Sequence, residues 1–309
     1  MILRRLFLRT LIAIALALIG CAAFGADTEA PYVVFLGTSA ADLWPDKVCN
    51  CEKCTYVKEH GGKNMRRFAS LYVHPGMVID FTVTGMAGLK EWGISPGDVN
   101  CLLTTHSHDD HCHAESIVKL ADARARTVKS PLKVYGDSTA VSKLRKYADG
   151  LGRAVPFELV QLKPFQEFEA CGWNGKTFAA NHAPDDEECL LYVLRKGDRA
   201  LLYALDTAWF PARTFHELHK EKLDLAIVDS TAGPGDWPES QITHMNFELN
   251  RKIKRLMDVT QVLKPGGTYA LTHLSVHAVP PYDQIHEKMA AEGFLIPYDG
   301  LKLEVGRKQ

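Results

Sequence analysis

The chain has 309 residues, 46% hydrophobic and 24% charged. That balance fits a globular body of one large or two small domains and excludes disordered and collagen-like classes. The formal charge is -1, and removing a leader with three arginines and no acids shifts it to about -4, a mild acidity that argues against general nucleic-acid binding.

Residues 1–25 open on Arg4, Arg5 and Arg9, continue through an apolar run at 11–19 and end in small residues. The run is too short to span hydrocarbon, so the pattern predicts a signal peptide at 1–25, an exported, periplasmic body at 26–309 and no spanning segment. Arg4-Arg5-Leu6-Phe7-Leu8-Arg9 resembles a twin-arginine export signal. Two ends of the leader compete: Leu18-Ile19-Gly20-Cys21 resembles a lipobox that would anchor the protein through Cys21, while Ala23-Phe24-Gly25 offers plain cleavage before Ala26.

Residues 32–37 read as the first strand. Cys49, Cys51 and Cys54 then place three thiols within six residues, too close to pair without one left over. A structural zinc site needs four ligands, so a three-thiolate knuckle asks for one more, and His277 is the candidate histidine. Disulfides are the competing reading, since an oxidising compartment favours them. Cys101, Cys112, Cys171 and Cys189 have no ligand spacing and read as buried small hydrophobes.

Strands follow at 70–74, 77–81 and 99–104, with a helix at 86–92 between them. Directly after that last strand, Thr104-Thr105-His106-Ser107-His108-Asp109-Asp110-His111 packs four metal-binding side chains into six residues. Imidazole with carboxylate suits zinc, and manganese or iron less exclusively; His106 and His108 can serve one ion while Asp110 and His111 serve a second. Helices at 114–125 and 138–147 enclose a strand at 131–135. Strands at 157–162, 176–181, 190–194 and 200–205 come next, then a helix at 211–219, a strand at 223–228, a helix at 246–263, a strand at 268–272, a helix at 281–291 and a strand at 301–305. His182, Asp206 and His273 each stand just past an apolar strand, which is how a site at a sheet edge is completed. Strands and helices mixed throughout, without a linker, favour a single α+β domain, a layered αββα body.

The set His106-x-His108-x-Asp110-His111, His182, Asp206 and His273 resembles the metallo-β-lactamase superfamily over most of residues 31–305, and a four-layer αββα sandwich is what the resemblance implies. Leu36-Gly37-Thr38, the cysteine cluster, Ile79-Asp80 and the segment from Thr272 to His277 look like the phosphoribosyl 1,2-cyclic phosphate phosphodiesterase group, with the pyrroloquinoline-quinone biosynthesis protein B a nearby relative. Carried over, His106, His108 and His182 would hold one ion and Asp110, His111 and His273 another, with Asp206 bridging. Asp80 would orient a ligand. Cys49, Cys51, Cys54 and His277 would hold a structural zinc. The Thr243-His244-Met245-Asn246 segment resembles the one carrying the group's general-acid histidine, so Asp110 and His244 are the catalytic candidates.

Two ions bring a shared water to near-neutral acidity, which predicts a dinuclear metal-dependent hydrolase acting through a bridging hydroxide. A small phosphodiester, cyclic or open, is the leading substrate class. A thioesterase or lactonase would use the same site, and a noncatalytic or biosynthetic accessory protein is the third reading. The expected partners are a small-molecule substrate and no nucleic acid; the sequence does not fix the oligomeric state.

Overall fold

In the first strand, Val33 and Phe35 point to one side, Val34 and Leu36 to the other, and all four are buried. A strand apolar on both faces must be covered on both faces, and that requirement recurs throughout this computed structural model. The structure describes residues 30–183, 187–235 and 243–307. The signal-peptide features, including Cys21, lie outside the described residues. The chain falls into two units, Met1–Ala30 and Pro31–Gln309, and all that follows concerns the second.

Its strands are β1 (Tyr32–Gly37), β2 (Ser70–Val73), β3 (Met77–Ile79), β4 (Cys101–Leu103), β5 (Leu132–Gly136), β6 (Phe157–Gln161), β7 (Glu167–Ala170), β8 (Trp173–Ala179), β9 (Leu190–Lys196), β10 (Arg199–Ala204), β11 (Leu223–Asp229), β12 (Leu263–Thr272) and β13 (Lys302–Glu304). One sheet runs β13-β1-β2-β3-β4-β5-β6 and the other β12-β11-β10-β9-β8-β7. The pairs β3 to β6 and β10 to β12 are parallel, the rest antiparallel.

The helices are α1 (Glu52–His60), α2 (Gly85–Glu91), α3 (Ala114–Ala125), α4 (Ser138–Gly150), α5 (Ala212–Leu218), α6 (Phe247–Val259) and α7 (Tyr282–Ala291). Phe35, Leu71, Ile79 and Leu103 meet Tyr192, Leu201, Tyr203 and Ile227 in a core between the sheets. Leu36, Val78 and Leu102 pack outward against Ile117 and Leu120 of α3 and Leu144 of α4. On the far side, Leu202, Ala226 and Leu271 pack against Ile253 and Met257 of α6 and Ile285 of α7. These are the four αββα layers; each fully buried side chain of Leu or Ile size contributes roughly 1.5–3 kcal/mol. Among the described residues no helix is long and apolar enough to cross a membrane.

Several expectations need correcting. Cys101 and Cys171, read as separate small hydrophobes, form a disulfide across 70 residues. Strand β7 is an addition to the expected elements: Glu167 and Glu169 alternate with Phe168 and Ala170 over only four residues, an edge strand whose charges face out. The helix expected to 263 ends at Val259, where Gln261 takes a left-handed φ of 54°, and β12 then starts at Leu263, running through Pro265-Gly266-Gly267 that reads as a break. The cysteine cluster opens α1, whose weak amphipathic pattern gives no helical signal.

Candidate metal centre

The sheets end at a shared edge, where the ligand-type residues collect. His106 to His111 follow β4, His182 follows β8, Asp206 follows β10 and His273 follows β12. Asp80, Asp206 and His273 adopt left-handed φ values of 58°, 49° and 57°. At each the chain breaks from the pleat, so the side chain reaches across the edge instead of alternating with its neighbours.

Three four-residue groups result, each with its donor atoms within 4.8 Å of one another: the predicted ligands form His106, His108, His182 and Asp206, and Asp110, His111, His273 and Asp206, while Asp229 and His244 form a third with Asp206 and His273. Asp206 belongs to all three, and it joins the two groups of predicted ligands. Its Oδ2 lies 2.8 Å from His111 Nε2, 3.2 Å from His106 Nε2 and 3.9 Å from His182 Nε2. The His111 and His273 Nε2 atoms face each other at 3.1 Å, and His182 Nε2 is 3.4 Å from His108 Nδ1. His106 Nε2 and Asp206 Oδ1 are buried without a hydrogen bond. Lone pairs of this kind, converging in a cluster that is buried apart from exposed His108 and part-exposed Asp110, fit divalent cations.

Charge is concentrated here. Burial works against the ionised form of Asp110, but His111 and His273 outweigh it and hold the carboxyl well below the usual range. Burial likewise opposes the Asp206 charge, which His273 and His111 stabilise. For His111 and His273 burial disfavours the cation, yet Asp206 reverses the balance and takes His273 up to about 10. Burial dominates at His106, which is lowered, and at His182, pushed down to about 4 against the pull of Asp206. Burial thus prevails at His106 and His182, and the carboxylates prevail at His111 and His273.

Around the cluster, a ring of acceptors fixes the imidazoles. Asp80, fully buried, accepts from His111 Nδ1 at 2.8 Å, from Thr105 N at 2.8 Å and from the Tyr203 hydroxyl at 3.2 Å. His182 Nδ1 lies 3.2 Å from the Thr243 carbonyl, and His273 Nδ1 lies 2.7 Å from Thr231 Oγ1.

Asp229, the last residue of β11, is a member of the site that sequence reasoning missed. It accepts from Asp206 N at 3.1 Å, Met245 N at 2.9 Å and His244 Nδ1 at 2.9 Å. The sequence carries the same signal there as at Asp206, an acid closing an apolar strand. Burial opposes protonation of His244, but Asp229 more than compensates and raises its pKa. His244 Nδ1 also stands 3.4 Å from Asp206 Oδ1, so the predicted acid candidate borders the cluster.

The three predicted thiols, Cys49, Cys51 and Cys54, lie within 4.8 Å of one another, and all three are free. Burial pushes Cys54 up to about 11, whereas the Cys54 backbone N–H and the Cys49 sulfur lower Cys51. His277 stands outside this group. It is exposed, and its carbonyl accepts from Lys53 Nζ at 2.7 Å. Nearby, the Val48 and Cys49 N–H groups lower Asp46.

A model of the β-lactamase superfamily domain matches residues 84–273. No curated protein sequence matches the chain. Among solved structures, a diphosphatase of the PhnP family is similar at 19% identity, covering 89% of this chain and 97% of that one with a TM-score of 0.69. Zn(2+)-bound PqqB from Methylobacterium extorquens is similar at 14% identity, 89% and 100% coverage and a TM-score of 0.66. The short form of human tRNase Z follows at 14% identity, 89% and 99% coverage and 0.62. These structural likenesses establish the fold. With the sandwich, the His/Asp cluster at its edge and a family model spanning more than half of its residues, the chain belongs to the β-lactamase superfamily.

Proposed function

We propose that the chain is a metal-dependent hydrolase that cleaves a small phosphodiester or diphosphate. The observation that carries this reading is the pair of donor groups joined by Asp206, with a His244–Asp229 pair at their border. His106, His108 and His182 would hold one divalent ion, Asp110, His111 and His273 the other, and Asp206 both. Bound there, the ions would supply Lewis acidity toward a phosphoryl oxygen and bring water to near-neutral acidity. Asp229 fixes His244 through Nδ1 and favours its cationic form, so a proton on Nε2 is the one a departing alkoxide would receive. Zinc is the metal we favour, and the PhnP-family diphosphatase and PqqB add support by fold.

The test is a panel on metal-loaded protein: cyclic nucleotides, bis(p-nitrophenyl) phosphate, a nucleoside diphosphate, a lactone, a thioester and a β-lactam. Turnover of the phosphorus compounds alone is the expected result. Turnover of the carbonyl compounds alone would make the chain a lactonase or thioesterase, and no turnover at all would favour an accessory role.

Asp80 orients His111 in this reading, so Asp80→Asn is expected to weaken metal affinity roughly 10- to 100-fold, measured by chelator competition. At the thiol cluster we propose a structural zinc, with His277 as the ligand that must swing in. Cys51→Ser should then lose one metal equivalent and thermal stability together. Unchanged metal content in that variant, or oxidised thiols at 49, 51 and 54 in fresh active protein, would contradict it. Export belongs to the same proposal; the mass of the mature protein would distinguish a start at Ala26 from lipidated Cys21.

A further inference from the structure

Ser107 stands between His106 and His108, and both of its peptide groups are held from outside the loop. Its backbone N–H, part of the peptide that follows His106, donates to Glu187 Oε2 at 2.9 Å, and its hydroxyl donates to Glu187 Oε1 at 3.0 Å. Its carbonyl, part of the peptide that precedes His108, accepts from Lys143 Nζ at 2.6 Å. The same ammonium pairs with Asp109 Oδ1 at 2.7 Å. Glu187 comes from the segment between β8 and β9 and Lys143 from α4, so the two holds reach the loop from different layers of the sandwich. Glu187 also continues a seam, in which the Tyr192 hydroxyl donates to the Thr104 carbonyl at 2.6 Å and Leu190 N to the Thr105 carbonyl at 2.8 Å.

A peptide plane fixed on each side of Ser107 sets the direction in which the side chains at 106 and 108 leave the chain, because φ and ψ are the only soft backbone variables. That matters most for His108. His106 and His182 are buried, and each has a partner on the ring nitrogen away from Asp206: Thr105 Oγ1 at 3.0 Å and the Thr243 carbonyl at 3.2 Å. His108 is exposed, and its ring neighbours are fellow members of its group, with centroids at 4.5 Å for His106 and 5.2 Å for His182. An exposed side chain has little packing to fix it, so its direction rests on the backbone that carries it. Glu187 suits this role: it is half-buried and turns both carboxylate oxygens to one residue of the loop.

We propose that Glu187 and Lys143 are positioning residues that preset His108, and with it the His106, His108 and His182 half of the centre, for one metal ion. The inference rests on the two-ion reading above, and neither residue belongs to a donor group. The half formed by Asp110, His111 and His273 is held instead by Asp80 and Thr231, so the two ions should respond differently. The test is Co(II) titration, against a competing chelator, of full-length protein stripped of metal. Thiolate charge-transfer absorption marks the cysteine cluster, and ligand-field bands follow the His/Asp ions. Glu187→Ala is expected to weaken one His/Asp ion roughly 10- to 100-fold and leave the other unchanged. Glu187→Gln, whose amide oxygen still accepts the Ser107 N–H, should recover most of that loss, and Ser107→Ala should add nothing in the Glu187→Ala background. Lys143→Met, which opens the second clamp, should weaken the same ion, and it carries the test if Glu187→Ala does not fold. Wild-type affinity for both ions in either variant, equal weakening of both, or a loss that Glu187→Gln does not recover would overturn the positioning role and leave the two-ion reading intact. A wild-type protein that takes up fewer than two His/Asp ions would remove the two-ion reading, and this inference with it.

Discussion

Asp206→Ala is expected to lower kcat/KM for phosphodiesters by about 10⁴-fold or more, with metal lost from both halves of the site. Asp206 is the one residue common to both donor groups, and its Oδ2 reaches His111 and His106 within 3.2 Å. Its removal strips each group to three donors and takes away the carboxylate the two would share. Asp110→Ala touches only one group and should leave the His106, His108 and His182 side able to bind one ion. Activity and metal content measured on the same samples separate the cases. Full activity with two bound ions in Asp206→Ala would refute the bridge. Asp206→Asn is a useful companion, since asparagine tolerates the left-handed φ of 49° at this position better than alanine.

His244→Ala should cost roughly 10²- to 10⁴-fold in turnover of substrates with alkyl leaving groups. For p-nitrophenyl esters, whose leaving group departs without a proton, the loss should be under about tenfold on the same reasoning. Metal content should hold, because His244 Nδ1 is engaged by Asp229 at 2.9 Å and the two donor groups are complete without it. Asp229 also accepts from the backbone N of Asp206 and Met245, so Asp229→Asn would combine a weaker acid with a displaced bridge. Equal losses on both ester types in His244→Ala would indicate substrate positioning, and loss of metal would make His244 a ligand.

Much of this site is legible in the amino-acid sequence because its chemistry is local. The run His106 to His111 is contiguous, and His182, Asp206 and His273 advertise themselves as polar residues closing apolar strands. The β1 alternation likewise marks a strand covered on both sides. What escapes a reading of the sequence depends on distant partners. Cys101 meets Cys171 only because β4 and the β7–β8 turn are brought together by the two-sheet packing. Asp229 reads as one more strand-end acid until the loop carrying His244 folds over it. His277, four residues after His273 and one further than the resemblance implies for a fourth zinc ligand, stands outside the thiol group, since spacing along a loop does not determine where its side chain points.

The three left-handed residues at the sheet edge carry an evolutionary consequence. Asp80, Asp206 and His273 each hold a conformation that costs a side-chain-bearing residue on the order of 1–3 kcal/mol. Together that is a sizeable part of the roughly 5–15 kcal/mol by which an ordinary domain is stable. Glycine would relieve that backbone cost, but at 80 it would also leave the buried Thr105 N–H, Tyr203 hydroxyl and His111 Nδ1 without their acceptor, a loss of comparable size. The strain at 80 is therefore locked in by the polar partners around it, and a lineage that ceased to use the centre would have to replace those partners before glycine became an advantage there.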